Sequence, residues 1–199
     1  MLSAAVARWL LIVHAILAVA LVGAATHWLI WLVKTARGQP GRIRAVRRFA
    51  LIAMTLYGAT MAVGLILYPT YKARVKLEFL TRSAAVSDDA RARLLGAEDL
   101  TARIEGRPAR TTSPSTMAAV ERAASQRSVR ISRWFDVKEH WAALGLVLGL
   151  AALAVLAVWD PRRDGRGPSG FALAAVASVA AITWLATIIG LLTTALRSF

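Results

Sequence analysis

Four stretches of the chain contain no Lys, Arg, Asp or Glu: Trp9 to Val33, Phe49 to Tyr68, Trp141 to Trp159 and Phe171 to Leu196. A helix rising about 1.5 Å per residue crosses the hydrocarbon of a bilayer in about 20 residues, a length that each stretch meets or closely approaches. Lipid offers a backbone no hydrogen bonds, so such stretches must be helices; strands would need a closed barrel of shorter, alternating segments. The pattern predicts an all-α integral membrane protein, a four-helix bundle with a long helical extramembrane segment between helices 2 and 3. Residues 1–69 then hold the first two spans and their connector 34–48, residues 70–139 the extramembrane segment, and residues 140–199 the last two spans.

The span ends carry their own signals. Trp9 stands at one end of the first block and Trp28 and Trp31 at the other, where indoles favour the headgroup level. Arg8, the apolar run after it and Gly23-Ala24-Ala25 resemble a secretory signal, but the run continues through Trp28 to Val33 where a cleaved signal gives way to polar chain. Pro69 is expected to kink or end the second helix, and Trp159-Asp160-Pro161 to close the third. Gly145 and Gly149 in the third span, and Ala174, Ser178 and Ala181 in the fourth, mark faces where helices can approach closely.

The middle segment is too long for a structureless loop. Tyr71, Val75, Phe79 and Leu80 recur at helical spacing, which carries the second helix on to about Arg82. A further helix is expected to start at Ser87 as cap, with Asp88 and Asp89 in its first turn and Gly96 as its stop. Pro108 and Pro114 amid Ser and Thr make 106–115 read as a mobile tip. From Thr116, an imperfect stripe of Met117, Val120, Ala124, Val129, Trp134 and Val137 runs as a helix into span three. The result is a basic amphipathic helical hairpin, with an apolar face that a partner or headgroups can cover.

Charge then orients the bundle. The chain is 57% hydrophobic yet carries a net charge of +14, with mean hydropathy +0.54 and pI near 11.6. Such a pI can signal nucleic acid; here the basic residues flank apolar spans, so the expected partners are the lipid bilayer and its anionic headgroups, not nucleic acid. The connector 34–48 holds Lys34, Arg37, Arg42, Arg44, Arg47 and Arg48 with no acid, a cytoplasmic signature. Arg162, Arg163 and Arg166 in the last connector agree, though Asp160 and Asp164 dilute them. Basic residues near the ends of the middle segment, such as Lys72 and Arg133, point the other way, but long loops cross regardless of charge. The expectation is a bacterial inner membrane, with both termini and residues 70–139 periplasmic or extracellular.

Candidate chemistry is sparse. Cysteine is absent, which excludes disulfides, thiolate metal sites and a catalytic thiol. The sequence has no nucleotide-binding GxxxxGK[ST] loop, no HExxH and no GxSxG. Three histidines remain. His14 and His27 are about 220° and about 20 Å apart on one helix and cannot serve one centre, which leaves His14 with His140 as axial ligands of a haem b. Asp136, Glu139 and His140 share one helical face and offer oxygen and nitrogen donors for a divalent metal. Neither set is backed by a specific motif. The expected function is that of a non-enzymatic accessory or scaffold component associating with a membrane partner complex or with itself, a homo-oligomer; the alternative is a redox protein with haem or metal at His14 and His140.

Cysteines introduced at Gln39 and Ser113 should react with an impermeant thiol reagent from opposite sides of the membrane, and same-side labelling would remove the four-span topology.

Overall fold

In the computed structural model, residues 2–73, 83–109, 111–160, 164 and 169–195 are described. Among them all regular structure is helical: α1 is Ala4–Ala36, α2 Ile43–Thr70, α3 Ser83–Glu105, α4 Pro114–Val158 and α5 Ser169–Ala195, with a short 3-10 turn at Pro40–Arg42. α1, α2, α4 and α5 are long and apolar enough to cross a membrane, and α3 is the extramembrane helix between the second and third of them. The protein is therefore a multi-pass, all-α membrane protein.

Local chemistry sets the helix ends. Ser3 caps α1 by accepting the Val6 N–H at 3.3 Å, and Ser113 caps α4 by accepting the Thr116 N–H at 3.2 Å. Pro114 follows as the first helical residue, where its missing N–H costs nothing. Past Pro69 the backbone opens into a π turn over residues 71–73. The ring crowds the preceding turn and supplies no donor to it, so the helix widens instead of stopping. The rest of the expected continuation, with Val75, Phe79, Leu80 and Arg82, lies outside the described residues.

α3 departs from the sequence reading at both ends. It begins at Ser83, not Ser87, and runs straight through Gly96 to Glu105. One glycine in a helix costs about 1 kcal/mol, which Ala, Leu, Arg and Glu around it offset. The stop is Gly106, whose φ of +64° a side chain would resist. The Arg107 N–H then donates back to the Ala102 carbonyl at 3.0 Å, closing the turn.

The chain forms two compact units, one of Met1–Tyr68 with Phe135–Phe199 and the other of Pro69–Trp134. In the second, Arg91 of α3 meets Glu121 of α4 at 2.9 Å, while Val86, Ala102 and Ser128 are buried. Arg107 bonds Glu98 at 2.8 Å and also Glu105, and these bonds, Glu98 first, hold its guanidinium above its ordinary pKa.

In the first unit the spans close a ring in the order α1, α2, α4, α5. His27 stacks on Phe49 with centroids 5.3 Å apart, joining α1 to α2. Tyr57 donates its hydroxyl to the Ala142 carbonyl at 2.8 Å, joining α2 to α4. The Trp184 indole donates to Thr26 Oγ1 at 3.1 Å and returns α5 to α1. Gly145 and Gly149 sit where three helices meet: a Cβ on Gly145 would overlap Tyr57 Oη and lie 3.1 Å from Ile182 Cγ2, and one on Gly149 would overlap Met54 Sδ. Their spacing is thus used for internal packing. Ala174, Ser178 and Ala181 face outward instead, while Ala172, Ala175, Val176 and Val179 fill the core.

The largest fully buried side chains are Trp28, Leu32, Val46, Leu156, Val176 and Val179, drawn from all four spans. The indole of Trp28 is 0% exposed and lies in this core, not at the headgroup level as its position near the block end suggested. In α1 the buried residues begin only at Leu21, so the core is densest toward the 34–48 connector. Ile16, Leu51, Leu65, Val147 and Leu191 point outward, which suits an oil-facing surface.

Arg47 completes the dense end. Its Nε donates to the Leu156 carbonyl at 2.9 Å and its Nη2 to the Trp159 carbonyl at 3.0 Å. The last carbonyls of a helix have no partner within it, and a cation there also matches the helix dipole.

Gly145→Ala and Gly149→Ala should each lower thermal stability in detergent by about 1–3 kcal/mol, whereas Gly58→Ala, whose Cβ meets nothing within 4 Å, should not. Equal behaviour of the three variants would show that the glycine contacts are incidental.

Candidate functional site

Polar side chains converge at the other end of the ring, around His14. This imidazole, part of α1, lies against Gly64 of α2: a Cβ there would come within 3.2 Å of its Cε1. The Thr60 backbone is within hydrogen-bonding reach of the ring, and the charge of Lys138 on α4 is near enough to act on it. Lys138 in turn reaches α5, where a Cβ on Gly190 would stand 3.2 Å from its Nζ. Its ammonium also lies 5.6 Å from the Phe135 ring centroid. All four spans therefore contribute to one junction.

The two glycines explain why the junction can form. A Cβ at position 64 or 190 would press on the imidazole or the ammonium, which would have to give way. His14 Nδ1 is buried and has no hydrogen-bond partner. An orphaned nitrogen of this kind forgoes about 1–3 kcal/mol, so it is a position at which a ligand atom or an ordered water is favoured. Thr60 cannot supply its own hydroxyl, which donates to the Leu56 carbonyl at 2.7 Å. The chemistry available is that of one imidazole and one ammonium: both bind hydrogen-bond acceptors, and the imidazole can accept a proton.

The other predicted residues lie elsewhere. His140 is exposed, and its Nδ1 lies 2.8 Å from the Asp136 carbonyl, a contact that places the proton on Nδ1. Residues 138 and 140 are about 200° apart around a helix, so the residue directed to the His14 junction is Lys138 and not His140. Among the described residues no group of three His, Cys, Asp or Glu side chains is placed to hold a metal ion. His27 lies toward the opposite end of α1, with Nδ1 at 2.8 Å from the Gly23 carbonyl.

Lys138 and Arg47 are the residues that sequence reasoning passed over. Both read as ordinary charges flanking a span. The available signal was indirect: Lys138 precedes Trp141 by one turn and thus lies on the same face of α4, at the edge of the apolar block.

Comparison with protein-family models, with curated proteins and with solved structures gave no match.

Gly64→Val should cost about 1–3 kcal/mol by displacing the imidazole, and His14→Ala should relieve most of that cost, so that the double variant is more stable than the sum of the single effects. Strictly additive losses in thermal unfolding would place His14 away from Gly64.

Proposed function

We propose that the chain is a non-enzymatic accessory or scaffold component of a bacterial inner membrane that holds a membrane partner, or a second copy of itself, through its extramembrane helices. The observation that carries this reading is on α3. Leu100 and Ile104 are one turn apart on one face and are 60% and 78% exposed. Outside the bilayer each such side chain forgoes about 1.5–3 kcal/mol until something covers it. The Arg91–Glu121 pair ties this helix to α4, so the face is offered on a braced hairpin. The outward small residues of α5, Ala174, Ser178 and Ala181, supply a second surface where another helix can approach closely within the membrane.

A second reading, a redox protein with haem b or a divalent metal at His14 and His140, draws on the unpartnered Nδ1 of His14. The presence of Lys138 at that junction weighs against it, because an ammonium repels a metal cation.

Gentle extraction of the tagged protein followed by sizing should find it in an assembly larger than its own 21.4 kDa. Leu100→Glu with Ile104→Glu should release it from that assembly without lowering its melting temperature. A wild-type chain that travels alone would overturn the scaffold reading, and a Soret band at about 410 nm lost in His14→Ala would establish the haem alternative.

A further inference from the structure

The connector between α1 and α2 carries an open recess of about 440 Å³, lined by Arg42, Arg44 and Arg48 together with Trp31, Gly41 and Phe49. Among the described residues no carboxylate pairs with any of these three arginines. The nearest stretch of sequence offers none either, since residues 34–48 contain no acid. Three like charges around one hollow repel each other and are stabilised by an anion within it.

The recess is also built, not merely charged. The Arg42 guanidinium carbon lies 4.8 Å from the Trp31 ring centroid and Lys34 Nζ lies 4.9 Å from it. Both cations are thus held against one indole. That indole has its own unsatisfied group, a buried Nε1 donor without an acceptor. There is open space beside Gly41, where a Cβ would meet nothing within 4 Å. Arg47, by contrast, is engaged by the carbonyls of Leu156 and Trp159 and takes no part.

What lies beside the arginines identifies the anion. Arg44, Arg48 and Leu51 follow one another along a single face of α2, at spacings of four and three residues. Leu51 is 58% exposed within an apolar span. A ligand that lays phosphate on the arginines therefore finds an apolar track leading away from them into the bilayer. We infer that this recess binds the phosphate headgroup of an anionic phospholipid, with its acyl chain along the Leu51 face of α2.

The test uses the full-length chain, delipidated in a neutral detergent and titrated with phosphatidylglycerol, with phosphatidylcholine as reference. Binding should saturate and be tighter for phosphatidylglycerol. Each of the two lining arginines is worth about five- to sixfold in affinity, so Arg44→Gln with Arg48→Gln should weaken binding about thirtyfold. Arg37→Gln removes a positive charge from the same connector without touching the lining or the Trp31 ring, and, acting only through screened solvent, should weaken it about twofold or less. A loss per charge removed that is the same in the two variants would show a diffuse basic surface and overturn the site, as would inorganic phosphate competing as well as the lipid does. Gly41→Asp supplies an independent check, since it sets a carboxylate in the hollow and leaves every arginine in place. It too should weaken phosphatidylglycerol binding at least tenfold, and wild-type affinity in this variant would refute the proposal.

Discussion

In oil no solvent is at hand to pair a backbone carbonyl, and the end of α4 shows how this chain meets that constraint. Leu156 is fully buried, so its carbonyl cannot rely on water. Arg47 bonds that carbonyl and the one at Trp159, reaching across from the opening turns of α2. For the guanidinium to arrive there, α2 must already be helical within the basic connector, and it begins at Ile43, well before the apolar block at Phe49. The same early start sends Arg44 and Arg48 outward, because Arg48 is turned about 100° from its neighbour Arg47. One backbone requirement thus sets both the clamp between two spans and the exposed pair beside it.

Glycine serves two levels of the ring differently. At Gly145 and Gly149 the missing side chain lets Tyr57 and Met54 close on the α4 backbone, and neighbouring helices approach. At Gly64 and Gly190 the space goes instead to an imidazole and an ammonium. Polar side chains near an unfilled helix junction cost more than apolar packing does, since His14 Nδ1 is left without a partner. The core chemistry is consistent with this division: α1 has no buried residue before Leu21. The dense end gives the bundle its rigidity, and the polar end retains groups that can bind.

Legibility followed the range of the interactions. The four spans were readable because each depends only on the local absence of charge over enough residues, and over the described residues the observed helices contain the predicted blocks except at Trp159, the last residue of the third. Helix ends were read less well: Gly96 reads as a stop although no Pro closely follows it, while Gly106, two residues before Pro108, is the glycine that adopts φ +64°. The His14 junction was half legible. A histidine inside a span stands out by composition, whereas Lys138, at the edge of its block, becomes a neighbour of His14 only once the ring sets α1 and α4 across from each other. Trp28 misled for the same reason, since proximity to a block end says nothing about which face the helix turns inward.

The excess of positive charge is not handled alike along the chain. On α3 and just past its end, Arg91, Arg93, Arg103 and Arg107 each face a carboxylate, from Glu121, Asp89, Asp99 and Glu98 respectively. At the α1–α2 connector the arginines that line the recess face none among the described residues, although exposed arginines gain little from ion pairs and selection for pairing alone would be weak in either place. The difference lies in what surrounds them. Where water is the solvent, like charges are screened and intramolecular carboxylates disperse them; at a bilayer surface the anions are already present in the lipid, and a carboxylate in the connector would be repelled by them. Leaving acids out of residues 34–48 therefore makes physical sense if phosphate groups of the membrane complete the charge balance of this end of the bundle.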